Sequence, residues 1–404
     1  MALPMKRILL LSCMAYLTVG LGQLVVGSVM EPMVHAYGIG YGDGGQLVMH
    51  QFLGGLTGTL CAPWLIRRFG LKSLLTAGFA LMALAEFTYV AQPSWAIMLA
   101  AAPLAGFGFG CVETTVGSLI ISSAGNKANS ALSRVEVFFG IGALAIPFAS
   151  AALIDIGQWR LAFACVGGLA VATLASWLLL WPAALKGSAA GGGPEAGRAA
   201  ARPPRLSGRV KLTLAACASF FFVYVGFEMS FAHYLPSMLV QTGGVSEAGA
   251  ALALSVFWGA MTLGRLVAGQ LADRFGGAAY LIVSCSVCAG AFILMSLLSE
   301  SVVATMALSF VAGFAMSGLF AIALVFGTRA APEQTVALTS LLLGCGLLGS
   351  AVLPRLVGDF LDRFGAGPTY AIVAALAVLL LAIAFVAVAA NRSRGKSETA
   401  AARG

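Results

Sequence analysis

Twelve long apolar runs constrain this chain more than any other feature of its sequence. Each run holds roughly 20 or more residues, which is about the length that an α-helix needs to cross the hydrocarbon core of a bilayer. Only 9% of the residues are charged, and the mean hydropathy is +0.96. This composition excludes a soluble globular protein. The runs show no heptads of charge, which excludes a coiled coil, and no strict alternation, which excludes an outer-membrane barrel. The runs lie at roughly 8–30, 47–66, 72–91, 97–124, 133–154, 160–182, 211–237, 248–271, 278–298, 302–328, 334–357 and 367–390.

The basic residues predict the orientation of the chain. If the N-terminus is cytoplasmic, all but four of the 23 Lys and Arg residues lie on the cytoplasmic side. The exceptions are Arg160, Arg355 and Arg363 outside and Arg265 within a span. This asymmetry satisfies the positive-inside rule. We therefore expect a multi-pass protein of the cytoplasmic (cell inner) membrane with both termini in the cytoplasm, and we attribute the net charge of +8 to orientation rather than to nucleic-acid binding.

The sequence also contains an internal repeat. The stretch Arg67-Arg68-Phe69-Gly70 returns as Asp273-Arg274-Phe275-Gly276, and a segment rich in Ala, Gly, Pro and Arg separates the sixth run from the seventh. These features predict an all-α integral membrane fold with twelve transmembrane helices in two pseudo-symmetric halves. The expected parts are an N-terminal six-helix half (1–182), a flexible cytoplasmic linker (183–209), a C-terminal six-helix half (210–390) and a cytoplasmic tail (391–404).

Several motifs resemble those of the major facilitator superfamily. The superfamily's loop motif Gly-x-x-x-Asp-Arg-x-Gly matches Gly269 to Gly276, whereas Arg67 takes the place of the acid in the first half. The stretches that begin at Glu113, Arg134 and Glu228 are similar to those of the bacterial glucose/mannose proton symporters and, more distantly, the fucose permeases. In the fucose permeases a span-four Glu takes part in proton coupling and sugar recognition, and the resemblance implies that role for Glu113. The span-one Asp of those permeases has no counterpart here.

Apart from Glu136 at the cytoplasmic start of the fifth span, three carboxylates lie within predicted spans, namely Glu86, Glu113 and Glu228. Each is a functional candidate, because a charge at the bilayer centre costs about 2.5 to 3.5 kcal/mol unless it faces a wet cavity or is protonated. Thr114 next to Glu113 offers a hydroxyl to a polyol, and Tyr224 lies one helical turn before Glu228. We expect Glu113 and Glu228 to carry the coupling proton, with an interhelical hydrogen bond as the alternative for Glu228. Glu86, near a span end, is left out of the predicted site.

Two sets of residues complete the predicted site. The substrate-binding set comprises polar and aromatic side chains of the spans: Gln23, Gln51, Glu113, Thr114, Tyr224, Glu228, His233 and Trp258. Close helix packing, an interfacial location and core packing are the alternatives for Gln23, His233 and Trp258 respectively. The gating set comprises charged residues expected to pair in the outward-open state and separate in the inward-open one: Arg67, Arg68, Arg134, Glu136, Arg265, Asp273 and Arg274.

The leading functional hypothesis is a proton-coupled importer of a neutral hexose that works by alternating access as a monomer. It needs the bilayer, protons and the sugar, with no metal and no cofactor besides the proton gradient. The alternative is a proton-driven antiporter that exports a drug or a small metabolite such as a metallophore, although the Gly-Pro dipeptide typical of span five in such antiporters is missing. A nutrient receptor or scaffold is a third hypothesis. No catalytic triad, metal cluster or phosphate loop favours an enzyme, and the eight cysteines all fall in apolar runs.

Overall fold

The computed structural model describes residues 3–124, 128–181, 208–329 and 335–401. Over these residues the chain forms fourteen α-helices and no β-strand. The helices are α1 (Leu3–Ser28), α2 (Met30–Tyr37), α3 (Tyr41–Phe69), α4 (Leu71–Val90), α5 (Trp95–Ala124), α6 (Ala128–Asp155), α7 (Leu161–Leu179), α8 (Gly208–Gly243), α9 (Glu247–Phe275), α10 (Gly277–Leu297), α11 (Val302–Met316), α12 (Leu319–Thr328), α13 (Thr335–Phe364) and α14 (Ala366–Ala401).

Eleven helical stretches within the described residues are long and apolar enough to cross a membrane, with α11 and α12 together forming one of them. The predicted second span lies in α3, which at 29 residues is long enough but carries His50 and Gln51 near its middle. A bilayer core offers backbone groups no water to bond, so a chain this apolar satisfies them within helices. The all-α membrane fold predicted from the sequence is confirmed.

The internal repeat is visible in the helix bounds. Both α3 and α9 have 29 residues, and each ends at the Phe of the repeated stretch. The glycines that follow, Gly70 and Gly276, have φ angles of 82° and 88°. Side chains other than hydrogen rarely tolerate that region, so glycine ends both helices at the same point of the repeat. The next helices, α4 and α10, begin immediately afterwards.

Several described helices run beyond their predicted ends, some of them past interior prolines. The prolines inside helices are Pro63, Pro103, Pro147, Pro236 and Pro354. A proline removes one helical hydrogen bond, but neighbouring helices make this tolerable in a membrane protein. The seventh apolar run was expected to end at 237, whereas α8 continues to Gly243. Likewise, α14 continues through the predicted tail to Ala401.

The described residues separate into two compact units. The first unit holds α1 to α7 together with Ser246–Ser255, the first part of α9, and the second unit holds α8 and everything from Val256 onward. In the first unit α1 packs against α6, and α3 and α4 pack against α5. In the second unit α8 packs against α13 and α14, and α10 packs against α14. Most of the predicted linker, up to residue 207, lies outside the described residues.

Candidate functional site

In the first unit, three predicted binding residues are partly exposed although they lie on membrane helices. Glu113 and Thr114 are adjacent on α5, and Gln23 lies on α1. Their neighbour Thr115 is fully buried. Charged side chains within a span almost always face the interior of the bundle or a water-filled cavity. Partial exposure leaves part of each of these three side chains outside the packing between helices.

Gln51 is placed differently from the others in this unit. It is only 4% exposed, and its Nε2 donates a hydrogen bond of 3.2 Å to the carbonyl oxygen of Gly22. The amide thus joins α3 to α1, and the same bond satisfies a carbonyl in a place without water. In this structure Gln51 links two helices, which differs from the substrate-binding role that we expected for it.

In the second unit, Glu228, Tyr224 and Arg265 form a polar cluster in which the first two residues are buried and Arg265 is partly exposed. Glu228 is 5% exposed and interacts electrostatically with both of the other side chains. The Tyr224 hydroxyl donates to the carbonyl oxygen of Met316 at 3.2 Å. Arg265 Nη2 contacts Met261 Sδ at 3.7 Å, and its buried Nη1 has no hydrogen-bond partner among the described residues. The cluster thus retains one unused charged donor beside a carboxylate.

His233 and Trp258 are both about 1% exposed and belong to the core of the second unit. We expected His233 near the outer end of its span, but α8 continues ten residues past it. Neither of its ring nitrogens has a hydrogen-bond partner in the part of the chain that the structure describes. The Trp258 ring packs edge-on against Phe257 at a centroid distance of 5.8 Å. Both side chains therefore need a rearrangement before they can contact a ligand.

The predicted gating residues differ in exposure. Arg67 and Arg68 are exposed at the end of α3, where Arg68 lies 5.6 Å from the centre of the Trp64 ring. Asp273 and Arg274 are exposed at the end of α9. Such placement suits ends of helices that change partners. Two other members differ: Arg265 lies well inside α9 beside Glu228, and Glu136 is partly buried in α6, whereas Arg134 is exposed.

The sequence reasoning missed two groups of residues. Tyr16 on α1 interacts electrostatically with both Glu113 and Glu136. Its spacing with Gln23 on one helical face was a signal that it shares the surroundings of the site residues. Because α5 and α6 are far apart from α1 in the sequence, only the folded structure shows that these three side chains lie close enough to interact electrostatically.

The second missed group surrounds Glu31, whose carboxylate is almost fully buried in the first turn of α2. Tyr41 Oη donates to both of its oxygens at 2.9 Å, and His35 Nε2 lies 3.5 Å from Oε1. The other nitrogen of His35, Nδ1, lies 3.2 Å from Oε1 of Glu247, in the part of α9 that belongs to the first unit. The four-residue spacing of Glu31 and His35 on α2 was the available signal.

Comparison with known proteins gives a consistent result. A family model described as Major Facilitator Superfamily matches residues 12–354. The chain is 28% identical over 373 residues to the glucose/mannose transporter GlcP of Bacillus subtilis (strain 168), which covers 91% of each chain. It is 23% identical over 382 residues to protein TsgA of Escherichia coli O157:H7, covering 92% of this chain and 93% of that protein.

Solved structures share the fold at low sequence identity. A mutant of the nucleoside transporter NupG superposes with a TM-score of 0.74 at 14% identity, covering 96% of this chain and 99% of the other. A D-xylose-proton symporter superposes with a TM-score of 0.71 at 17% identity, covering 94% and 97%. At these identities the superpositions show that the helices are arranged in the same fold, and substrate has to be argued from the residues.

Proposed function

The chain belongs to the major facilitator superfamily and is a multi-pass membrane transporter rather than an enzyme, and from this premise we propose that it imports a neutral hexose together with a proton. We further propose that it acts as a monomer in the cytoplasmic membrane with both termini in the cytoplasm. The charge asymmetry of the loops supports that orientation.

The observation that carries the proposal is the partly exposed carboxylate of Glu113 beside the Thr114 hydroxyl on α5. A carboxylate within a membrane helix is costly unless it is wet or protonated, so its presence in this span favours a proton-binding role. The hydroxyl of the adjacent Thr114 and the amide of Gln23 on α1 suit the hydroxyls of a sugar. The 28% identity to a glucose/mannose transporter supports a hexose as the substrate class.

In the second unit we propose that Glu228 and Arg265 contribute to the binding of the sugar. A carboxylate accepts hydrogen bonds and a guanidinium donates them, so the pair matches the mixed donor and acceptor character of a sugar hydroxyl. Arg265 was expected in a gate, but its unused Nη1 and its interaction with Glu228 favour the binding role. Arg67, Arg68, Arg134, Asp273 and Arg274 remain the proposed gating residues.

The first test is uptake of labelled glucose by the purified protein in liposomes, with and without an inward proton gradient. One proton that crosses 100 mV supplies about 2.3 kcal/mol, which corresponds to about fifty-fold accumulation. We expect gradient-driven accumulation in the wild type. We expect none in Glu113→Gln, because the amide cannot release a proton, while exchange of labelled for unlabelled sugar persists.

Two results would change the proposal. Accumulation at the wild-type level in Glu113→Gln would remove this residue from the coupling mechanism. Absence of glucose flux in the wild type, together with proton release on addition of another compound, would favour the proton-driven exporter. A Glu86→Gln protein is the matched control, because Glu86 is a buried carboxylate of the same unit that lies outside the proposed site.

A further inference from the structure

We propose that Tyr16, Glu113 and Glu136 form a proton relay in the first unit, in which Glu136 receives the coupling proton from Glu113 and releases it to the cytoplasm. The inference rests on the proposed symport and deepens it. It also moves Glu136 out of the gating set. The three side chains come from three different helices, α1, α5 and α6.

The contacts between α1 and α6 place Tyr16 and Glu136 at the same depth. A Cβ on Gly20 would overlap the carbonyl oxygen of Phe139, and the hydroxyl oxygens of Ser28 and Ser150 lie 2.7 Å apart. In both contacts the α6 residue number is about 120 higher than that of its α1 partner. Two helices that keep one register over several turns keep it at neighbouring turns as well. Tyr16 therefore lies level with Glu136.

The contacts between α1 and α5 place Glu113 about one helical turn from the level of Tyr16. A Cβ built on Gly117 would lie 3.6 Å from the Tyr16 hydroxyl oxygen. Glu113 lies four residues before Gly117, so it shares that face of α5 one turn away, about 5.4 Å along the axis. Since the span that contains Glu136 begins at Arg134, Glu136 is the carboxylate nearer to the start of that span, which faces the cytoplasm in the proposed orientation.

The Tyr16 hydroxyl is a polar group on α1 that faces α5. The residue is only 3% exposed, so this hydroxyl belongs to the interior of the first unit. It interacts electrostatically with both Glu113 and Glu136, and the two carboxylates interact with each other. A phenol hydroxyl both donates and accepts hydrogen bonds, so it can take a proton from one carboxyl group while giving its own to another. Both carboxylates are partly exposed, so water has access to the ends of the relay.

The proton step balances without any further reactant. Once the three side chains come within hydrogen-bond distance, the carboxylic acid of Glu113 gives its proton to the Tyr16 oxygen while the Tyr16 hydroxyl proton passes to the Glu136 carboxylate. The result is an ionised Glu113, an unchanged phenol and a protonated Glu136. Glu136 then loses its proton to water on the cytoplasmic side, and rotation of the Tyr16 hydroxyl resets the relay. Because two carboxylates that interact electrostatically disfavour double ionisation, the relay as proposed carries one proton on the pair.

The test compares Glu113→Gln, Glu136→Gln and the double variant in the liposome assay, with Glu86→Gln as the matched control. We expect Glu136→Gln to lose the gradient-driven accumulation of about fifty-fold at 100 mV, while sugar exchange stays within twofold of the wild type. The double variant should accumulate no less than either single variant, because both residues serve the same proton. Glu136→Asp, which keeps a carboxylate, should recover part of the accumulation.

Failure of the relay and failure of the proposed symport give different results. If the wild type shows no proton-driven uptake, the symport proposal is wrong, whatever the variants do. If the wild type accumulates glucose and Glu136→Gln does so equally well, the relay is wrong and the symport stands. Loss of exchange along with accumulation would assign Glu136 to sugar binding and also overturn the relay. Should the amide variant fail to fold, Tyr16→Phe decides, since unchanged accumulation in that variant contradicts the relay.

Discussion

Arg265 and Glu228 compensate each other's charge inside the second unit. A single buried charge within a span is costly, whereas an opposite charge nearby lowers that cost. The charges are balanced, but one hydrogen-bond donor is not satisfied: the buried Nη1 of Arg265 has no hydrogen-bond partner among the described residues. A donor of this kind becomes satisfied when a ligand hydroxyl reaches it, so the pair combines charge balance with readiness to bind.

Replacing Arg265 with Lys tests this role. The substitution keeps the positive charge beside Glu228 but removes the planar fork of donors. A hydrogen bond from a charged donor contributes about 1.5 to 3 kcal/mol, so we expect the KM for the transported sugar to rise about tenfold or more. The measurement is the concentration dependence of uptake. Arg355→Lys is the control, since Arg355 already pairs with Asp359 at 3.1 Å, and equal effects of the two changes would contradict the assignment.

Close contact between helix backbones is the main feature at the scale of elements. Along α3 and α5, glycines of each helix abut the backbone of the other: Gly54 meets Pro103, Gly58 meets Phe107, Gly106 meets Gln51 and Gly110 meets Gly55. Small residues allow this approach, and dispersion contacts then hold the helices together where lipid removes the hydrophobic driving force. The same contact fixes α5, which carries Glu113.

A single methyl group at this crossing is expected to destabilise the fold. A Cβ on Gly106 would overlap the carbonyl oxygen of Gln51, which is rigid backbone. Overpacking of this kind costs about 1 to 3 kcal/mol, so Gly106→Ala should lower the melting temperature in detergent. Gly168→Ala on α7 is the matched control, because its Cβ would meet no atom within 4 Å. Alanine favours helix there, so that protein should melt at the wild-type temperature or slightly above it. Equal melting of the two variants is the contrary result.

The spans were predictable because an apolar run of bilayer length has few alternatives to a helix. Their ends were less predictable, since hydropathy marks the membrane crossing while helices such as α8 continue past Pro236. The site was predictable only in part. Glu113 and Glu228 were visible as charges inside apolar runs, whereas the meeting of Tyr16 with Glu136 depends on how α1 and α6 pack and has no local signature in the sequence.

At the scale of the whole molecule, α9 is shared between the two units. Its first ten residues, Ser246–Ser255, belong to the first unit, whereas the rest of the helix belongs to the second. In the first unit Ser255 Oγ donates to the Leu144 carbonyl oxygen at 3.2 Å, and Ala248 packs with Ala151. The superfamily moves substrate by rocking one half of the molecule against the other. If both units move as rigid bodies and α9 stays one unbent helix, it cannot stay packed in both, so we expect these contacts to break during the cycle.

A disulfide between α6 and the start of α9 tests this consequence. Oxidation of an Ala151→Cys/Ala248→Cys protein should lower net uptake at least about tenfold, and dithiothreitol should restore it, because the link holds a contact that has to separate. The control is Ser28→Cys/Ser150→Cys, whose parent hydroxyls lie 2.7 Å apart within the first unit, and its oxidised form should transport normally. The native protein, oxidised and reduced in the same way, shows how far oxidation of its own eight cysteines changes uptake. If mass spectrometry shows the first disulfide to be complete while uptake continues at the reduced rate, the start of α9 does not separate from α6, and the motion has to occur within α9 itself, beyond Ser255.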